Sequence, residues 1–337
     1  MSRGRAAVLT GVGSCLPPRA VPNDELAAGL DSSGEWIRSR TGIEQRYFAE
    51  RGTATSDLAV GAGERALKSA GVSTVDTVLV ATTTPDRPCP ATAPVVAARL
   101  GMRGTAAYDV SAVCTGFVYG LATAAGLISA GVADRVLVIG AETFSTLLDP
   151  EDRSTAVIFG DGAGAVVLRS GDPAEPGALG PFDLGSDGEG EDLITVPAGG
   201  SRQRLSGLAP AAGERYFAMS GKEVFRHAVL RMTGSARTVL ARAGWRARDV
   251  DHLVSHQANL RITNHVADDL GVPRDRCVSN IAEVGNTAAA SIPLALDQAH
   301  TEGALRPGGR MLLTAFGGGL TWGSAVLTWP DLDPARA

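Results

Sequence analysis

The chain has little of what marks metal, disulfide, membrane or nucleic-acid chemistry. Its four cysteines are Cys15, Cys89, Cys114 and Cys277. No two form a Cys-x-x-Cys pair, and no histidine stands at metal-ligand spacing from any of them. A zinc site and a disulfide framework are therefore not expected. Lys and Arg never cluster into a run, and the formal net charge is -5, so nothing points to nucleic acid. The one apolar run near the start, Ala6 to Leu9, is too short for a signal-peptide core and is followed at once by Gly11 and Gly13. No apolar run approaches the length of a membrane span. These absences lead to the expectation of a soluble, cytoplasmic protein with reduced thiols and no resident metal.

What is present is an alternating α/β pattern. Glycine is abundant, 42 of 337 residues, but without a period of three, which excludes a collagen-like chain and suits tight turns and close backbone approaches. Short β-branched runs read as buried strands: Val8 to Thr10, Val75 to Thr82, Arg135 to Ile139 and Ala165 to Leu168. Between them lie Ala-rich segments of helical period, Asp57 to Ala70 and Gly116 to Ala130. Alternation of this kind predicts a layered α/β fold with a mostly buried sheet.

The second half repeats the plan of the first. The segment from Val75 has a counterpart at Val250, and the segment from Arg135 has one at Arg310; both pairs are 175 residues apart. Each half closes on a Gly-rich strand, at Gly160 to Leu168 and at Gly317 to Leu327. A shared offset points to duplication. The Gly/Pro-rich stretch Ser170 to Pro181 is the expected seam, which divides the chain into halves 1–172 and 173–337. A duplicated fold would bring catalytic groups from both halves to the junction between them.

Four segments carry candidate chemistry. In Asp109-Val110-Ser111-Ala112-Val113-Cys114-Thr115-Gly116-Phe117 a strand is expected to end near Ala112 and a long helix to start near Cys114. Free N–H groups and the helix dipole there favour a thiolate. From this segment alone, a small buried cysteine in a core turn is an equal reading. His256 and Gln257 follow an apolar strand, where a polar pair is out of place unless it is used. Asn286 stands in a Gly-Asn turn, which is often turn chemistry alone. Phe316-Gly317-Gly318-Gly319 offers backbone N–H groups suited to an oxyanion hole, or a plain tight bend.

Taken in this order over nearly the whole chain, these segments resemble β-ketoacyl-[acyl carrier protein] synthase III. The resemblance includes Gly34 to Ile43, Phe159 to Gly164, His256 to Ile262, Gly285 to Ser291 and Phe316 to Ala325. It implies a thiolase fold, with two duplicated α/β halves in five αβαβα layers. It implies an acyltransferase that loads an acyl-CoA starter onto Cys114 and extends it with malonyl-acyl carrier protein by decarboxylative Claisen condensation. His256 and Asn286 match the donors to the malonyl thioester carbonyl, and the N–H groups of Cys114 and Gly318 match the oxyanion hole. Trp36 and Arg153 match the pair that stacks on CoA adenine, with Arg40 a further CoA contact. The resemblance implies no cofactor beyond these substrates, and a homodimer.

Two further expectations follow from the resemblance. Lys222, Arg226 and Arg261 match carrier-protein docking positions. They lie in a stretch, 222–261, where eight basic residues face three acidic ones in a chain of net charge -5, an asymmetry that would steer an acidic partner. Phe159 and Cys89 match acyl-pocket positions, Cys89 standing in the interface loop Thr82 to Pro90, from which a Phe of well-known relatives closes the acyl pocket of the partner subunit. By volume alone, Cys89 would admit a longer or branched chain. Two other readings use the same segments. One is a starter-unit synthase or acyltransferase of a specialised pathway that does not decarboxylate. The other is a non-catalytic partner subunit, which would be expected to lack Cys114.

Overall fold

The computed structural model describes residues 4–333. Two five-stranded sheets organise the described residues. The first is built from β1 (Ala6–Cys15), β2 (Thr77–Ala81), β3 (Ala106–Val110), β4 (Arg135–Glu142) and β5 (Gly162–Gly171). The second is built from β6 (Leu179–Ser186), β7 (His252–Ser255), β8 (Cys277–Val278), β9 (Arg310–Gly317) and β10 (Thr321–Thr328).

The strand order is β1-β5-β4-β2-β3 in the first sheet and β6-β10-β9-β7-β8 in the second. Each strand of one half thus has its counterpart five labels on. The pairings repeat too: β1/β5 and β5/β4 are antiparallel, β4/β2 and β2/β3 parallel, and so are their counterparts. The offset of 175 carries β4 (Arg135–Glu142) onto β9 (Arg310–Gly317) residue for residue. The predicted duplication is therefore a structural one.

The principal helices are α1 (Gly34–Thr41), α2 (Thr55–Ala70), α3 (Ala93–Arg99), α4 (Gly116–Ser129), α5 (Gly221–Ala243), α6 (Leu260–Leu270) and α7 (Ser291–Thr301). Five layers follow from which strand faces are apolar. In β4, Leu137 and Ile139 face α2 and α3, while Val136 and Val138 face the central layer with α4 and α7. In β9, Met311 and Leu313 join that same central core, while Leu312 faces α5 and α6. Both sheets are buried on both faces, which is why their strands read as continuous apolar runs rather than alternating ones. The central helices α4 and α7 are sandwiched between the sheets, and the turns that start them, 113–115 and 288–290, lie side by side at the seam.

The predicted strands and helices stand, with boundaries shifted by a few residues. One difference matters for the chemistry. Cys114 is not the first residue of α4 but the middle of a separate 3-10 turn, Val113–Thr115, that precedes it. Val113 holds φ 48°, a left-handed conformation rare for a β-branched residue.

Candidate active site

Cys114, His256 and Asn286 line one cavity with ≈ 40 Å³ of free space. The nucleophile candidate comes from the first half and the two polar groups from the second. Its other walls are apolar and include Phe159, Phe217, Met219, Phe316, Val224, Ala228, Met232 and Ile262.

His256 follows β7, and its N–H donates to the Thr314 carbonyl of β9 at 2.8 Å. Its Nδ1 lies 2.7 Å from Ser291 Oγ, at the start of α7. The Gln257 N–H donates to the same Oγ at 3.4 Å. Nδ1 is the one acceptor within reach of the Ser291 hydroxyl proton among the described residues, so that proton points at Nδ1, and the remaining imidazole proton falls on Nε2. Burial pushes the imidazolium down to about 3, so His256 is neutral across the working range and a donor through Nε2. Gln257, the other half of the out-of-place polar pair, is structural. Its Nε2 donates to Ser255 O at 2.6 Å and its Oε1 accepts from Ser279 Oγ at 2.6 Å, which closes the turn after β7.

Asn286 is oriented by its neighbours. Its Oδ1 accepts from the Ala288 N–H at 2.9 Å, which leaves the NH₂ as the free end. Its backbone is laced to the Phe159 segment, with Asn286 N donating to Ile158 O at 3.0 Å and Gly160 N to Asn286 O at 2.9 Å. The Gly-Asn turn is thus more than turn chemistry: it joins the two halves beside the cavity.

The Phe316 to Gly319 bend packs on the Cys114 turn. A Cβ on Gly317 would lie 2.9 Å from the Cys114 nitrogen, so only glycine allows this approach. Thr321 Oγ1 lies within hydrogen-bond reach of Ala112 O at 3.2 Å and of Thr115 Oγ1 at 3.0 Å, pinning the bend. In turns, caps and loops among the described residues, no backbone acceptor pairs with the N–H of Cys114 or of Gly318. The pair suits an oxyanion hole.

The thiol does not follow the expectation drawn from the helix dipole. Burial pushes the Cys114 thiol up, the Glu142 carboxylate adds to that, and only the residue's own N–H pulls it down. Cys114 is buried and sits in the turn before α4 rather than in the helix, and burial disfavours the charged thiolate. The resting group is a thiol.

Arg153 lies over the Trp36 ring at 5.5 Å and is tied by a 2.6 Å hydrogen bond to Asp31 O. Arg40 is exposed on the same helix as Trp36, and its carbonyl accepts from Asn259 Nδ2, the residue that caps α6 just after His256. Lys222, Arg226 and Arg261 are exposed on α5 and α6, the helices whose inner faces wall the cavity. Among the described residues none of the three is in an ion pair, whereas Arg231, Arg242 and Arg246 of the same basic stretch are paired to Asp187, Asp183 and Asp249. Phe159 lines the cavity, but Cys89 does not. It is exposed in the loop after β2.

Sequence reasoning missed four contributors. Phe144 stacks on Phe159 with ring centroids 4.2 Å apart, and Phe217 meets both edge-on. Ser291 sets the His256 tautomer. Glu142, fully buried, ends β4. A signal for the last was present: a carboxylate closing an apolar strand is as out of place as a histidine following one.

Family models for 3-oxoacyl-[acyl-carrier-protein] synthase III match residues 108–188 and, for its C-terminal part, residues 240–329. These spans carry Cys114, His256 and Asn286. Beta-ketoacyl-[acyl-carrier-protein] synthase III 3 of Streptomyces coelicolor is 69% identical over 332 residues, 98% of this chain and 99% of that one. The chain belongs to the 3-oxoacyl-[acyl-carrier-protein] synthase III family. The solved synthase III of Pseudomonas aeruginosa superposes with a TM-score of 0.92 at 56% identity, covering 98% of this chain and 100% of that one. A priming β-ketosynthase of a polyketide biosynthetic pathway gives 0.91 at 37% identity, covering 99% of both chains. As a synthase III the chain has the thiolase fold and is a condensing acyltransferase that initiates acyl-chain synthesis. No described helix is long and apolar enough to cross a membrane.

Proposed function

We propose that Cys114, His256 and Asn286 carry a two-step condensation between an acyl-CoA starter and a malonyl-acyl carrier protein. The observation that carries this reading is their convergence, from both halves, on one small apolar cavity. In the first step Cys114 Sγ attacks the acyl thioester, the C–S bond to CoA breaks, and the thiol proton leaves with CoA. The step is a thiol–thioester exchange and balances without an external base. Covalent capture splits one difficult reaction into two easier ones.

In the second step the malonyl C–CO₂ bond breaks and its electron pair moves onto the thioester, giving an enolate. His256 Nε2–H and Asn286 Nδ2–H donate to the enolate oxygen. Each prearranged donor in such a site supplies on the order of 3 kcal/mol. A neutral imidazole held as a donor suits this role better than a titrating one. The enolate carbon then attacks the acyl-Cys carbonyl, the N–H groups of Cys114 and Gly318 take the tetrahedral oxyanion, and the Cys114 thiolate leaves and takes a proton from solvent. Neither step needs a metal or redox cofactor to balance.

Trp36, Arg40 and Arg153 form the CoA end in this reading, since an indole and a guanidinium already stacked offer flat faces to a base. Lys222, Arg226 and Arg261 receive the acidic carrier protein beside the cavity wall. The chain works as a homodimer in the cytoplasm, with the Thr82 to Pro90 loop at the junction. The ≈ 40 Å³ cavity beside three packed Phe rings favours a short starter over the longer one that Cys89 alone would suggest. A panel of acyl-CoAs followed by malonyl-carrier protein tests the scheme by intact-protein mass. One acyl adduct should form on wild type, be absent from Cys114→Ala, and be discharged with CO₂ release. An adduct that forms yet releases no CO₂ would instead favour an acyltransferase without decarboxylation.

A further inference from the structure

Segments of both halves enclose a second cavity of ≈ 320 Å³ that the condensation does not use. Ser14 of β1, Leu16 just after it and Tyr47 come from the first half. Asn280, the 283–284 turn and the outer end of α7 come from the second. Among the described residues, three carboxylates line it, Glu283, Asp297 and Glu302, and no lysine, arginine or histidine does. None of the three is in an ion pair among the described residues.

The floor of this cavity holds acceptors without donors. Asp297 is 9% exposed; its Oδ2 accepts from Ser14 Oγ, and its Oδ1 has no partner. Asn280 is 4% exposed, and neither atom of its amide has a partner. Buried polar groups are hydrogen-bonded as a rule, so such orphans ask for a ligand. At the rim, Gln298 Nε2 donates to Glu283 Oε2 and to Glu302 Oε1, both at 2.9 Å. One NH₂ thus gathers two exposed carboxylates whose like charges disfavour each other. Arg65 and His300 act on Asp297 through space, but neither lines the cavity. Burial raises the Asp297 carboxyl, as expected of a carboxylate short of donors.

A single water would answer one orphan but not three carboxylates. We propose that the cavity binds a short aliphatic di- or polyamine. One ammonium donates at the floor, where Asp297 and Asn280 hold unpartnered oxygens. A second sits at the rim between Glu283 and Glu302, and the methylenes between them cover Leu16, Val284 and Leu294. An ammonium carries three donors and no acceptor, which matches a lining of acceptors. The acids are too dispersed for a metal ion: among the described residues no three His, Cys, Asp or Glu side chains are grouped to hold one. The volume falls at the lower end of the range for small-ligand sites, about 300–1,000 Å³.

The test is titration calorimetry and thermal melting of the intact chain with putrescine, spermidine and arginine, with Mg²⁺ at matched ionic strength as control. Putrescine or spermidine should bind saturably at one site per chain and raise Tm, because a ligand of the native state stabilises it. Asp297→Asn should weaken binding about 30-fold or more, as for removing one side of a buried charge pair. Glu283→Gln, at the exposed rim, should weaken it about two- to fivefold. Asp269→Asn removes the same charge from an exposed position outside the cavity and should leave binding unchanged. If Asp297→Asn does not fold, a double variant with Glu283→Gln and Glu302→Gln carries the comparison and should bind more weakly than Glu283→Gln alone. The absence of saturable amine binding overturns the inference. An equal rise of Tm with Mg²⁺ does so too, since it would reflect screening of a chain of net charge -5. So does equal weakening by Asp269→Asn and Asp297→Asn. Arginine binding more tightly than both amines overturns the choice of ligand.

Discussion

Ser291→Ala tests whether the donor character of His256 is set by one hydroxyl. Both residues are buried, at 1% and 3% exposure, and the 2.7 Å contact is the only side-chain partner His256 has among the described residues. Removing the hydroxyl strands Nδ1 without a partner. An unsatisfied buried polar group costs about 1–3 kcal/mol. At the lower end of about 2 °C per kcal/mol for large domains, Tm should fall by roughly 2–6 °C.

The kinetic effect should be larger than the stability effect suggests. With Nδ1 unpinned, the imidazole is free to carry its proton on the wrong nitrogen. Complete loss of an oxyanion donor costs about 10²–10³ in kcat, so partial loss should cost about 10- to 100-fold in CO₂ release. Acyl loading on Cys114 should stay within about threefold, because the Cys114 and Gly318 N–H groups are untouched. The depression of the His256 pKa is due to burial, not to Ser291, so the acid limb of the rate profile should not move. Ser291→Thr retains the hydroxyl and should recover most of the loss. A Ser291→Ala enzyme that releases CO₂ at the wild-type rate would refute the tautomer argument. Equal loss in loading and decarboxylation would point to a packing defect instead.

Stability should depend on pH in two opposed windows. His256 is depressed from 6.5 to about 3, so the unfolded chain takes up its proton first, and stability present above pH 6.5 is lost as pH falls toward 3. Glu142 is raised from 4.5 to about 7, so stability present below pH 4.5 is lost as pH rises through 7. Urea melts of wild type and Glu142→Gln at pH 5 and 8 check the second window: the variant should gain relative to wild type at pH 8. Phe217→Ala should cost about 3–5 kcal/mol and shift loading toward longer acyl-CoAs, read by adduct mass. An unchanged chain-length profile would mean that the Phe cluster does not limit the starter. Replacing Lys222, Arg226 and Arg261 by Glu should raise KM for malonyl-carrier protein, more at low salt than at high, while leaving malonyl-CoA kinetics alone. Equal effects on both substrates would remove the docking assignment.

Much of the fold was legible because its cause is local. Strands buried on both faces read as apolar runs, and one offset of 175 exposed the duplication before any contact was known. The candidate site was legible where chemistry contradicts environment, as in a histidine after an apolar strand. Glu142 carries the same contradiction and was passed over, since nothing in its own segment says that the Thr82 to Thr84 loop faces it. The helix-dipole expectation for Cys114 failed for a related reason. Sequence places a thiol near a helix start, but whether the dipole or desolvation wins depends on how much protein surrounds the sulfur.

The sequence by itself determined the α/β alternation, the repeated half and the family to which the chain belongs, because pattern and motif are properties of neighbouring residues. Only the tertiary structure decided which proton His256 carries and which way the Cys114 thiol shifts. Each of those depends on one hydrogen bond or on burial contributed by residues tens to hundreds of positions away, and sequence separation says nothing of distance in space until the two sheets have closed on α4 and α7.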